Sequence, residues 1–219
     1  MRGTLPLEIE NLSYGSREPV FENASFSVSP GEFVTVLVQQ TASQSAFLDC
    51  LSGNLKPTTG KILFWGRDNR GLHRESINQR VGWIVSKKES YAPWIRLGEY
   101  LQASSRLQKT WNQKWSQQLV QTLGLDLNRR MSDLTEVQLS QMRLVRALSF
   151  EPGLLVMGEF SPTIPAETKQ SLMESILGQF GLGEMAVLYV GQSAQESLAH
   201  SDRVIKIGRR NWTTADATL

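Results

Sequence analysis

The sequence holds one cysteine, Cys50, which excludes an intramolecular disulfide. It sits among Phe47, Leu48 and Leu51, the setting of a packed thiol rather than a nucleophile, and a reducing cytoplasm fits. No uninterrupted apolar run is long enough to span a bilayer, and the opening MRGTLPLEIE lacks an apolar stretch of signal-peptide length. Work at a membrane would therefore go through a partner. Lys and Arg total 23 against 21 Asp and Glu, a net charge of +2, and the longest basic run near the end is the pair Arg209 and Arg210. That balance gives no case for a nucleic-acid partner. The two histidines, His73 and His200, have no neighbours at metal-ligand spacing, so the protein is expected to hold no metal of its own. Repeats and low-complexity tracts are absent.

What remains is an ordinary globular composition, 40% hydrophobic and 20% charged over 219 residues, enough for one α/β domain with an inserted lobe. Apolar patterning predicts strands at 7–14, with the alternation slipping near Tyr14, around Phe26 and Val28, and at 33–38. Pro30 and Gly31 turn the chain between the last two. A helix is expected over 45–52, stopped by Gly53 and Asn54, then strands at 61–65 and 81–85. Trp111, Trp115, Leu119 and Leu123 recur at helical spacing, which marks residues 90–132 as a helical insertion and the tryptophans as packing groups. A helix at 138–150, a strand at 154–157, a helix at 166–180 and strands at 186–190 and 203–207 complete the pattern. Strand alternating with helix implies a mostly parallel sheet covered on both faces. The chain runs out soon after this last expected strand, leaving no room for an added regulatory domain.

Three blocks carry a family likeness. FLDCLSGNLKPTTGKILFWGRD resembles the stretch after the phosphate loop of ATP-binding-cassette (ABC) ATPases. LTEVQLSQMRLVRALSFEPGLLVMGEF is similar to their signature helix and the strand that follows, usually written LSGGQ and ending in Asp-Glu-Pro. VLYVGQSAQESLAHSDRVIKIGRRNW resembles their switch-histidine strand and the D-R-V strand beyond. The order is kept and the likeness covers essentially the whole chain. It implies a P-loop NTPase-like fold with an N-terminal antiparallel β portion and the inserted helical lobe, residues 1–219 forming a single domain.

The resemblance also implies ATP with Mg²⁺ as ligands, and sets each site position against the family pattern GxxGxGK[ST][ST]. Backbone N–H groups of that loop curl around phosphates, and glycines allow the approach. In register, Val38, Thr41 and Ser43 fall on the three glycines and Gln44 on the lysine; Ser45 keeps the Mg²⁺-ligating hydroxyl, and Ala46 takes the next hydroxyl position. A unit charge about 4 Å from a phosphate is worth roughly 4 kcal/mol at an effective dielectric near 20, before lysine desolvation. Half of that is already more than tenfold in affinity. Gly158 replaces the aspartate that holds the metal's water shell, while Glu159 keeps the position of the general base; a strand-end carboxylate with a structural partner is the other reading of Glu159. Gln192 stands at the switch histidine, Ser86 at the glutamine that links nucleotide to lobe, and Pro165 at an aspartate used across the dimer.

In the signature, Leu134, Thr135 and Gln138 survive, but Glu136 and Val137 fall on its glycines. A carboxylate there repels polyphosphate, and a β-branched side chain blocks close approach. Tyr14 matches the aromatic that stacks on adenine, or is simply a strand-end aromatic. The implied role is a pseudo-ATPase subunit of a membrane transport complex, cytoplasmic and held on the inner face of the cell membrane by a permease. It would pair with itself or with an ATP-competent relative. Two alternatives stand beside it: a slow but genuine ATPase subunit, and a soluble scaffold using the same fold. The transported substrate and the direction of transport are not written in the chain.

Overall fold

The strand with the slipping alternation is β1, Leu7–Tyr14, where Leu7, Ile9 and Leu12 are buried. The slip is a bulge: its register against β2 (Phe21–Val28) shifts on both sides of Leu12, and Asn11 sits at φ 46°. The structure, a computed structural model, describes residues 4–15, 17, 19–38, 40–70, 74–85, 91–161, 163–180, 184–192, 200–208 and 212–216, with backbone alone at 175–180 and 212–216. β1 also pairs antiparallel with β4 (Thr59–Phe64), which pairs with the short β5 (Arg67–Asp68), giving a four-stranded sheet in the order β2-β1-β4-β5. The second strand starts at Phe21, well before the apolar pair that announced it in the sequence.

The second sheet has six strands in the order β10-β9-β3-β8-β7-β6. Its members are β3 (Phe33–Val38), β6 (Val81–Ile84), β7 (Leu154–Gly158), β8 (Ala186–Gly191), β9 (Arg203–Ile207) and β10 (Trp212–Asp216). All neighbours run parallel except β9 and β10. Arg203–Ile207 is thus not the last strand. β10 carries the polar stretch WTTAD on one edge, and pairing through backbone alone needs no apolar alternation.

The buried runs of β3, β7 and β8 split by parity between two cores. Val34, Val36, Val156, Leu188 and Val190 face the antiparallel sheet and the helix α1 (Thr41–Leu51). Phe33, Leu155, Met157, Val187 and Tyr189 face α5 (Glu136–Leu148) and α6 (Ala166–Phe180). Two faces covered by apolar material is what a continuous hydrophobic strand requires. Between β6 and α5 lie α3 (Leu97–Leu107) and α4 (Gln113–Thr122), with Leu101, Leu119 and Val120 buried. Trp111 and Trp115 pack against the second core, as their spacing implied. A one-turn helix, α2 (Arg74–Asn78), precedes β6 and is too short to show a period in the sequence.

Candidate functional site

The parallel strands β3, β7 and β8 end side by side at Val38, Gly158 and Gly191, and α1 starts just beyond β3. Ligands of open parallel sheets gather at this carboxyl edge. The first departure from expectation is where α1 begins. It starts at Thr41 rather than near Ser45, and the Gln44 N–H bonds to the Gln40 carbonyl at 3.0 Å, as in a regular helix. None of the described residues 40–46 has a positive φ. With Thr, Ala, Ser and Gln at 41–44 and no glycine among them, the backbone winds into helix instead of a looser curl. No side chain caps this end, and its first turn holds no acid.

The side chains of Thr41, Ser43 and Gln44 bond to the protein itself. Buried Gln44 donates its amide Nε2–H to the Val190 carbonyl at 2.9 Å. Ser43, also buried, donates its hydroxyl to the Val20 carbonyl at 3.2 Å, tying α1 to the connection between β1 and β2. Gln192 donates its side-chain Nε2–H to Thr41 Oγ1 at 2.9 Å, and its backbone N–H donates to Glu159 Oε1. Thr41, Gln192 and Glu159 therefore form one chain of contacts from α1 across β8 to the end of β7. Val38 is buried in the first core, Ala46 packs at its margin, and Ser45 is exposed. A Cβ at Gly158 would lie 3.3 Å from Leu48 Cδ1 and 3.8 Å from Gln44 Nε2, close but tolerable.

Beneath these contacts runs a cleft of about 680 Å³. Thr41, Ser45 and Leu48, at spacings of four and three along α1, line it, as does Ser52 just past the helix end. Asp49, Trp83, Gly158, Glu159, Phe160 and Lys169 also line it. The cleft joins Glu159, Gln192, Gln44, Ser45 and Gly158, all singled out from sequence, to residues that were not. Cys50 is fully buried in the first core, and burial with the nearby Asp49 carboxylate pushes its thiol up to about 12.

Tyr14 is not part of this cleft. Its half-buried ring leans on Phe21 at 6.2 Å, and Phe21 meets Phe47 of α1 edge-on at 5.5 Å. Ser86 lies outside the described residues. The signature stretch lies at the start of α5, where Thr135 is the N-cap. Its hydroxyl accepts from the Gln138 N–H at 3.2 Å, and Gln138 Oε1 accepts from the Thr135 N–H at 3.0 Å. This reciprocal pair is a capping box, and Glu136 adds a favourable negative charge to the first turn. Arg129 donates to the same Gln138 oxygen at 3.0 Å. Leu134 and Val137 pack against the second core. The polar survivors of the signature thus have local work. Replacing Thr135 by Ala should lower stability by about 1 kcal/mol, a fall in Tm of about 2–4 °C in a thermal melt.

A sequence pattern described as "ABC transporter" matches residues 21–161, more than half of the chain. The chain belongs to the ABC transporter family. A molybdate/tungstate import ATP-binding protein, WtpC of Pyrococcus horikoshii, is 25% identical over 206 residues, covering 90% of this chain and 58% of that protein. A spermidine/putrescine import ATP-binding protein, PotA of Mycoplasma capricolum, is 23% identical with 91% and 58% covered. The aliphatic sulfonates import ATP-binding protein SsuB 3 of Pseudomonas syringae is 28% identical, covering 94% of this chain and 74% of that protein. The chain thus spans under three fifths of the length of the first two relatives. Among solved structures, an ATP-binding subunit of an ABC transporter superposes with a TM-score of 0.81 at 19% identity, over 97% of this chain and 90% of that one. CbiO1 from Clostridium perfringens gives 0.76 at 13%, over 98% and 89%. The fold is the P-loop NTPase fold of ABC ATPases.

Within this ABC chain the structure brings Thr41, Ser43, Gln44, Ser45, Gly158, Glu159 and Gln192 to one edge, and leaves Tyr14 and the start of α5 elsewhere. Sequence reasoning missed Asp49, Asn78, Trp83 and Lys169, which line the same cleft. For Asp49 a signal existed, since it follows Ser45 by one helical turn. Asn78, Trp83 and Lys169 come from three separate elements, and only the tertiary fold unites them.

Proposed function

We propose that the chain is an ABC-type nucleotide-binding subunit with little or no ATPase activity of its own, acting as a structural or regulatory part of a membrane transport complex. One observation carries this reading: Thr41, Ser43 and Gln44, at three of the phosphate-loop positions, are engaged with the protein. Thr41 holds Gln192, Ser43 holds Val20, Gln44 holds Val190, and Glu159 accepts the Gln192 N–H. A triphosphate with Mg²⁺ asks for a flexible nest of N–H groups, a cation and a metal-anchoring carboxylate. Gln44 and Gly158 supply neither charge, and the start of α1 is regular helix. These residues do not fit that ligand, and Glu159 has a structural partner.

Residues 1–219 are read as one cassette domain with its lobe inserted at about 90–132. The relatives named as import ATP-binding proteins support an import system, although their names span three different cargoes and give none to this chain. Among the described residues no helix is long and apolar enough to cross a membrane, so attachment to the inner face of the cell membrane would run through a permease subunit. A groove between α2, β6 and α3, lined by Glu75, Val81, Tyr100, Ala103 and Leu107, offers that subunit a mixed polar and apolar seat. Pairing with itself or with an ATP-competent relative completes the complex, and in the second case the capped start of α5 would face the relative's nucleotide.

Calorimetric titration of the purified chain with ATP and Mg²⁺, together with phosphate-release assays, tests the reading. Binding no tighter than high micromolar and no turnover above buffer are expected. Submicromolar binding with turnover would overturn it. Co-purification of a tagged chain with a membrane permease separates the transport role from a free-standing scaffold.

A further inference from the structure

We infer that the groove between α3 and α4 binds an extended peptide segment carrying an acidic side chain. The groove has a volume of about 760 Å³. Every residue from 91 to 161 is described, so both helices and their connection are defined throughout. α3 serves two grooves with two faces. Tyr100, Ala103 and Leu107 line the one offered to the permease, while Gly98, Leu101, Gln102 and Ser105 line this one.

Spacing is the first reason for a peptide. Gln113, Gln117 and Gln121 of α4 line the groove in a row, exposed, and their amides make no hydrogen bond among the described residues. Four helical residues at 1.5 Å each set them about 6 Å apart. An extended chain repeats its backbone groups on one side every two residues, about 6.6 Å. A primary amide both donates and accepts, so each glutamine can serve a peptide C=O and N–H together. The second reason is Ser116, only 5% exposed, which lines the groove with a hydroxyl that has no partner among the described residues. Burying a polar group unpaired is costly, and a peptide unit laid against it removes that cost. Charge is the third. Arg106 is the one charged residue of the described lining, and no carboxylate of the described residues pairs with it. Its place in the last turn of α3 suits the helix dipole but leaves its guanidinium N–H groups unused. A carboxylate takes two of them in parallel. Buried Leu101 and Val120 add apolar lining for the side chains on one face of the segment.

Three hexapeptides blocked at both ends provide the test, with Val alternating with Glu, with Gln or with Lys. Calorimetry on the purified full chain should give the Glu peptide at least a tenfold lower Kd than the Lys peptide, with the Gln peptide between. Methylating alternate backbone nitrogens of the Glu peptide should weaken it at least tenfold, because the glutamine row then loses its donors. Arg106→Gln should narrow the ratio between Glu and Lys peptides to below about threefold. Replacing Gln113, Gln117 and Gln121 together by Ala should weaken all three peptides at least tenfold without lowering Tm, since all three are exposed and Ala is the better helix former. Equal Kd for the Glu and Lys peptides would overturn the inference, as would silence from every peptide at millimolar concentration or binding unchanged in the triple variant. Glucuronate is the last probe. If it binds while the peptides stay silent, the groove is a small-molecule site and the peptide reading falls. These outcomes are separate from the ATP titrations, because this groove shares no lining residue with the cleft along α1.

Discussion

A chain carrying Gly60→Ala should unfold about 6–12 °C below the parent, a loss of about 3 kcal/mol. Gly60 begins the part of β4 that faces the bulge in β1, and its φ of +87° is one that residues with a Cβ rarely adopt. That alone costs an alanine about 1 kcal/mol. The greater part of the loss is steric. A Cβ at this position would lie 2.5 Å from the carbonyl oxygens of both Glu10 and Asn11, and backbone atoms in a paired strand cannot swing aside as a side chain would. Gly66 provides the control. Its φ is +74°, yet a Cβ there meets nothing within 4 Å, so Gly66→Ala should lose only about 2–4 °C. Equal shifts in differential scanning calorimetry would mean that the β1 bulge relaxes freely, and the steric account would fall. The consequence reaches the cleft. The antiparallel sheet presses Phe21 on Phe47, and through that edge contact it sets the position of α1.

The same particulars show how far the sequence could be read. β3 and β9 emerge with the boundaries their apolar runs predict, and α6 does too, because continuous burial or helical spacing leaves a mark in every residue. β10 leaves none, since an edge strand joins by backbone bonds and WTTAD shows no alternation. The family register set the phosphate-loop positions at 38–46 but carried with it the expectation of a loop. The glycine-free run TASQ was the available sign that helix could extend back to Thr41. The contacts that define the site were out of reach. Gln192 and Thr41 lie 151 positions apart, and Gln44 and Val190 lie 146 apart. Nothing in the type of either glutamine says which partner it will find. Thr135 and Gln138 were the opposite case: three residues apart ahead of an apolar helix, they spell a capping box, yet family likeness drew attention to nucleotide instead.

Restoring charge without restoring shape should fail. Gln44→Lys with Gly158→Asp ought to leave the Kd for ATP with Mg²⁺ within a few-fold of the parent. A Cβ at position 158 sits 3.8 Å from the Gln44 amide, so the introduced carboxylate and ammonium are placed to pair with each other. Meanwhile α1 still starts at Thr41, and the Gln44 N–H remains committed to the Gln40 carbonyl. Adding Thr41→Gly and Ser43→Gly removes the hydroxyls that hold Gln192 and Val20 and lets the first turn unwind. The fourfold variant should bind roughly a hundredfold more tightly than the double, about 2.7 kcal/mol. Each glycine costs the helix about 1 kcal/mol, so the same variant should melt about 4–8 °C lower without ligand, a loss that saturating ATP then offsets by mass action. Titration calorimetry and a melt with and without nucleotide read both effects. If the double variant alone recovers the full gain, the start of α1 was phosphate-shaped all along, and charge, not backbone conformation, was what the site lacked.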